Sequence, residues 1–273
     1  MDKVKNIEVQ SSLRKQLTLF ILGLLATYLL ALFSFWPKDG GDPNQAIFIV
    51  LMFAPTVGAL LAKFFGKASI QFGRPNKWIF AAFIPTIAAL LAYLMGTAFG
   101  WVSLDSSILV KSLSFSVLAI AAAMLSAVGE EIGWRGFMWP ALREKHSFMY
   151  ASIFTLVVWW VYHVPLILLG WYGSVSGLLA FTVAITGVTL FIGVITDRSK
   201  SIWPSVVLHG SWNALVATSF AYTKGAEKIS AFTGSENLLG EFGWLAAVST
   251  LVIGLVAAYW HIHNKPDPKP NPV

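Results

Sequence analysis

Ala127-Val128-Gly129-Glu130-Glu131-Ile132-Gly133-Trp134-Arg135 sets two carboxylates and a guanidinium at the end of a run, 112–126, that carries no charge. Charged groups at such a depth in an apolar segment are costly, so the stretch asks what solvent surrounds the chain. The composition answers. Of 273 residues, 56% are hydrophobic and only 12% charged, where a soluble domain is nearer a quarter charged. The apolar residues fall into blocks of membrane-spanning length, at about 17–36, 46–62, 78–99, 108–139, 148–169, 177–196, 202–222 and 242–261. Backbone in lipid must satisfy its own hydrogen bonds, and no block alternates as a barrel strand would, so the blocks read as helices. The expected fold is all-α: a polytopic bundle of about eight transmembrane helices with a polar cavity open to the cytoplasmic side.

Charge placement supports the count. The N-terminal tail carries Lys3, Lys5, Arg14 and Lys15, and the second connection Lys63, Lys67, Arg74 and Lys77. Arg143 and Lys145, Arg198 and Lys200, and Lys265 and Lys269 continue the series at every second connection. The alternate set holds only Lys38, Lys111, Lys224 and Lys228. Basic residues favour the cytoplasmic face, so both termini are expected there, in a cell (plasma or inner) membrane. The net charge of +6 therefore reports topology, and no nucleic-acid partner is expected. There is no cysteine, which removes disulfides, thiolate ligands and a cysteine nucleophile. The first block has no small-residue cleavage site after it and reads as a retained span. The organisation expected is a tail at 1–16, a membrane domain at 17–262 with its catalytic core at about 108–222, and a disordered Pro-rich cytoplasmic tail at 263–273.

Of the thirteen acidic residues, only Glu130 and Glu131 lie deep in a span. On a helix, Glu131 and Arg135 share a face in the orientation that favours an ion pair. Glu130 points about 100° away, without such a partner. Glu131 and Arg135 thus brace the site and Glu130 acts, unless the cluster merely holds helices together. His163 and His209 are the two histidines inside spans; His146, His261 and His263 read as interfacial. Asn213 follows His209 by four residues, on the same face. Glu130 and His163 lie at similar depth on either side of the 143–147 turn. His209 is shallower, about 13 Å past Lys200 at 1.5 Å per residue, so the fourth helix must tilt, break near Pro140, or reach further out. Glu130 could take a proton from a water held by His163, with His209 and Asn213 donating to a tetrahedral oxyanion. Glu130, His163 and His209 could alternatively hold one divalent metal, zinc, although the helical His-Glu-x-x-His pattern is absent.

Glu-Glu-x-x-x-Arg at Glu130, Glu131 and Arg135, an aromatic-x-x-x-His at Trp159 and His163, and His-x-x-x-Asn at His209 and Asn213 resemble the CPBP intramembrane proteases. That group contains the type II CAAX prenyl proteases and bacteriocin-processing or immunity proteins. The second motif usually begins with Phe; here Trp159 keeps an aromatic wall. The resemblance covers about 125–217 and implies an intramembrane endopeptidase with Glu130 as its base. Its substrate would be a membrane-associated or prenylated protein or peptide, cut near its C-terminus or in a membrane-proximal segment. No cofactor is expected, because Asn213 suits an oxyanion donor better than a metal ligand. The competing readings are a non-catalytic immunity or scaffold protein and a proton-coupled transporter. The absence of paired broken helices in two related halves counts against the transporter.

Overall fold

A computed structural model of the chain describes residues 2–37, 43–44, 46–221 and 230–264, with side chains from Ser12 onward. The Pro-rich stretch 265–273 and part of the connection before Glu241 lie outside the described residues. Ten α-helical segments follow in order: α1 Asp2–Phe35, α2 Ala46–Gly66, α3 Trp78–Ala81, α4 Ile84–Ala98, α5 Leu109–Gly133, α6 Trp139–Arg143, α7 Phe148–Leu168, α8 Leu178–Ser199, α9 Trp203–Ala214 and α10 Trp244–His263. Helix α1 takes in the described part of the expected N-terminal tail. Segments α3 and α4 form one span, and α5, a π-helical turn at Trp134–Met138 and α6 form another.

Among the described residues, seven helices are long and apolar enough to cross a membrane, and leucine, valine and phenylalanine side chains such as Leu29, Phe33, Leu118, Val157 and Val252 line the outer surface. The chain is a multi-pass membrane protein. Eight spans were expected, and the difference is the 202–222 block. There α9 and a second π-helical turn, Leu215–Ser219, are shorter and carry His209, Ser211 and Asn213. This segment is almost wholly enclosed by protein from Pro204 to Trp212, so its polar groups need not meet lipid.

Contacts between connections fix the number of crossings. Strands β1 Val102–Leu104 and β2 Phe232–Gly234 pair antiparallel, Val102 opposite Gly234, so the connections before α5 and before α10 share one face. That requires an even number of crossings between them, and α9 supplies the fourth. On the other face Ile202 N–H donates to Phe72 O (3.0 Å), Asn76 Nδ2 to Ser199 O (3.0 Å) and Gln16 Nε2 to Gly66 O (3.1 Å). This second face carries Arg74, Lys77, Arg143, Arg198 and Lys200, and is called the basic face below; the first is the far face.

Helix α8 is the most enclosed span, with α7 and α10 against it; α2 and α9 flank α5. Two glycines set those last contacts. A Cβ at Gly133 would stand 2.4 Å from Pro55 backbone, and one at Gly210 would stand 2.9 Å from Met124 Cα. Small residues let helices approach closely in lipid. Helix α7 runs through Pro165 without a break.

The basic face is tied by a buried carboxylate. Asp197 accepts from Trp139 Nε1 (2.9 Å), Arg143 Nε (2.9 Å) and His261 Nε2 (3.1 Å), and Arg198 Nε donates to His261 Nδ1 (2.9 Å). His261, expected to be merely interfacial, is buried in this network. The sequence places it at a span end; only the fold brings α8 and α10 together around it.

Candidate active site

The residues of the three motifs meet where α5, α7 and α9 converge. Helix α5 carries Glu130 and Glu131 on its last regular turns, and the backbone ladder then slips into the π-turn that holds Trp134 and Arg135. Of the irregularities considered for this span, the one present is this π-turn, which lies before Pro140 at the motif itself, and the span continues through it. The second π-turn follows Asn213 in the same way. π-Turns are rare and gather at functional sites, because the extra residue re-aims the side chains around it.

Glu130 and Glu131 have separate partners. Glu130 Oε2 accepts from two indoles, Trp134 Nε1 at 3.0 Å and Trp159 Nε1 at 3.2 Å. Its Oε1 hydrogen-bonds no described protein group. Glu131 is fully buried, and its Oε1 accepts from Arg135 Nη1 (3.0 Å) and His209 Nδ1 (2.9 Å). Arg135 is buried with it, its guanidinium 4.5 Å from the centre of the Trp159 ring. Among the described residues, Glu131 Oε2 and Arg135 Nε and Nη2 have no partner.

Trp159 does more than form the expected aromatic wall. Its N–H reaches Glu130, its ring covers Arg135 and meets His209 edge-on at 5.5 Å, and its carbonyl accepts from His163 Nδ1 at 2.7 Å. A phenylalanine could not make the first of these contacts. His163 thereby holds its proton on Nδ1, which leaves Nε2 as an acceptor. The Asn213 side-chain amide hydrogen-bonds no described protein group; its backbone carbonyl accepts from the Thr218 hydroxyl (2.7 Å).

Glu130, Trp159, His163, His209 and Asn213 all line one cavity of about 750 Å³, part of it open to the outside. Its other walls are mainly apolar and aromatic, including Phe48, Leu51, Tyr162, Tyr172, Phe181 and Trp212. A largely apolar cleft with a few convergent polar groups is the usual form of a ligand site. Besides Glu130 of α5, the lining comes from the far-face halves of α2, α7, α8 and α9, together with Tyr172 and Glu241 from far-face connections. Next to Glu130, the side chains of Trp134, Arg135 and Trp159 are buried. The basic face has its own polar pocket, lined in part by Arg135, Arg143, Asp197 and Lys200.

Sequence reasoning missed three residues here. Trp134 is hidden among the apolar residues of its span. Tyr172 and Glu241 sit in connections, and Glu241 is buried, taking a hydrogen bond from the Tyr172 hydroxyl on Oε1 and from Trp212 Nε1 (3.3 Å) on Oε2. A carboxylate at a span end gives no signal that it turns inward.

Among the described residues, no three His, Asp or Glu side chains are placed to share a metal ion. His163 and His209 each place Nδ1–H on a carbonyl or carboxylate, of Trp159 and Glu131, and keep Nε2 for another partner, the same pattern that metal-bound imidazoles show.

Residues 112–215 match the family model described as type II CAAX prenyl endopeptidase Rce1-like. The matched stretch holds all three motifs and runs from early in α5 to the end of α9. It leaves out α1 to α4, α10 and Glu241. No curated protein matches the chain.

Proposed function

Residues 112–215 place the chain in the CPBP group of intramembrane peptidases, and from that membership we propose that it hydrolyses peptide bonds with a water molecule activated by Glu130. The observation that carries this reading is the convergence of Glu130, His163, His209 and Asn213 on one mainly apolar cavity. The two indole donors on Oε2 fix the carboxylate and leave Oε1 for water. That water gives one hydrogen bond to Glu130 Oε1 and the other to His163 Nε2, which its Nδ1–H bond to Trp159 leaves as an acceptor. As Oε1 takes the proton, the water oxygen bonds to the substrate carbonyl carbon. The Asn213 amide donates to the resulting oxyanion. His209 gives its Nδ1–H to Glu131, so it donates from Nε2 as well only as an imidazolium. The tetrahedral intermediate collapses as the carbon–nitrogen bond breaks, and Glu130 returns its proton to the leaving nitrogen.

The substrate class is a membrane-associated protein or peptide, cut near its C-terminus or in a membrane-proximal segment. The apolar walls accept an extended apolar stretch, and the far-face lining has the substrate enter opposite the basic face. A prenyl group is one such apolar anchor. The basic-residue asymmetry puts the basic face and both termini in the cytoplasm of a cell-membrane protein.

The test is a comparison of membrane-protein C-termini in cells that carry the wild-type chain and cells that carry Glu130→Gln. New C-termini that depend on Glu130 are expected. Identical sets, at matched protein levels, would remove the peptidase reading and leave a scaffold that keeps the polar cluster for structure.

A further inference from the structure

Glu241 is a second buried carboxylate on the wall of the same cavity, contributed by the connection before α10 and lying outside the matched region. Two donors hold it, the Tyr172 hydroxyl and the Trp212 indole, one on each oxygen. These bonds tie the 169–177 connection and α9 to the connection before α10, which would account for a polar acceptor at this place. They do not account for a charge. Each carboxylate oxygen keeps a further lone pair, and among the described residues no Lys or Arg pairs with Glu241. An enclosed acid that pairs with no described lysine or arginine points to a ligand that brings a cation.

The rest of the wall agrees. Two carboxylates and two histidines line the cavity, and among the described residues no lysine or arginine does. Aromatic rings adjoin the acid: Tyr172 and Trp212 reach it from their ring edges, Tyr172 packs edge-on to Phe181 at 6.0 Å, and all three rings line the same cavity. A carboxylate framed by aromatic rings is the usual surrounding for an ammonium or guanidinium group, which gains from the ring faces as well as from the charge. We propose that Glu241 is a specificity-determining residue that receives a basic side chain, Lys or Arg, of the peptide substrate. This rests on the peptidase reading for the substrate's being a peptide, and on the cavity wall alone for its being a cation. Glu130 then acts at the peptide bond while Glu241 selects a residue beside it, so cleavage is placed at a fixed offset from a basic residue.

The experiment uses the full chain in lipid nanodiscs and N-acetylated, C-amidated apolar peptides that differ only in one position, Lys, Arg, Gln or Leu, scanned along the peptide. Blocking both ends removes terminal charges as the recognised group. At one position the wild-type chain should prefer Lys or Arg over Gln by at least about tenfold in kcat/KM, the factor that 1.4 kcal/mol supplies. Glu241→Gln should bring that ratio to about one, and Glu241→Asp should keep part of it. A structural role would lower turnover on all peptides and leave the ratio unchanged, and that result would overturn the proposal; so would a wild-type chain that shows no preference at any position. Binding of the same peptides to Glu130→Gln separates the two readings, because it does not depend on cleavage. Tighter binding of Lys or Arg peptides that Glu241→Gln abolishes supports the cation site even if no peptide is cut, and equal binding of all peptides rejects it.

Discussion

At the scale of single residues, adjacent acids carry different loads. Glu131 holds Arg135 and His209 together in full burial, while Glu130 is fixed by two indoles and faces the cavity. Glu131→Gln should therefore reduce folded protein, because breaking a buried ion pair by removing one partner typically costs about 3–5 kcal/mol. Glu130→Gln should stay folded and lose activity; equal stability of the two variants, with activity lost only in Glu131→Gln, would reverse the assignment. Asn213→Ala should lower turnover about 100- to 1,000-fold, the usual effect of removing an oxyanion donor, with little change in KM. Activity should also survive exhaustive chelation, with metal content read by mass spectrometry. One zinc per chain, with activity lost on stripping and restored by zinc, would overturn the metal-free mechanism. These polar groups were legible because each interrupts an apolar span. Trp134 was not, since an indole in an apolar helix looks like packing until its N–H is seen on Glu130. Glu241 was not, since burial of a connection residue depends on contacts far away in sequence, here with Tyr172 and Trp212.

At the scale of elements, the motif helices work because other helices come close to them. Pro55 of α2 lies against Gly133, one turn past Glu130, where even a Cβ would clash with backbone. Gly133→Ala should force α2 and α5 apart, with a destabilisation of about 1–3 kcal/mol typical of overpacking and a loss of turnover from a displaced Glu130. A lowered melting temperature together with reduced kcat checks this; wild-type values for both would show that α2 gives way cheaply. The repeat pattern of apolar residues announced these helices, but not the two π-turns, because a slipped hydrogen-bond ladder leaves no mark in hydrophobicity. The connection that carries Glu241 gives a prediction in pH. Burial pushes the Glu241 carboxyl up from its ordinary range, the Tyr172, Trp212 and His209 groups pull it back, and Glu130 adds to the rise. A raised value in the folded state favours folding at low pH, and that contribution is lost as pH rises through the raised value. Glu241→Gln lacks the loss, so its melting temperature relative to wild type should climb as pH rises above the ordinary carboxylate range. A difference that stays flat would mean that the carboxyl keeps the same affinity for its proton on folding.

For the whole molecule, the apolar blocks announce eight crossings, while among the described residues seven helices are long and apolar enough to cross by themselves and α9 is shorter and more polar. The asymmetry of basic residues asked for an even number of crossings, and the fold gives a physical reason to count the eighth. Strands β1 and β2 can pair only if the connections before α5 and before α10 lie on one face, and with α9 left out they would lie on opposite faces. On the other face, hydrogen bonds join Gln16 to Gly66, Phe72 to Ile202, and Arg198 to the backbone at Asn264, which gathers both described ends of the chain with the basic connections. Reporter fusions at Gly73 and Gly173 should thus read from opposite sides, with Gly73 on the side of both termini and in the cytoplasm. A fusion at Gly234 should agree with Gly173. Agreement of Gly234 with Gly73 instead would mean that α9 does not cross, and would be incompatible with the β1–β2 pair. A cell-exterior signal at Gly73, with Gly173 inside, would keep the eight crossings and invert the molecule in its membrane. The cavity and Glu241 would then face the cytoplasm, and the substrate segment would be presented from within the cell.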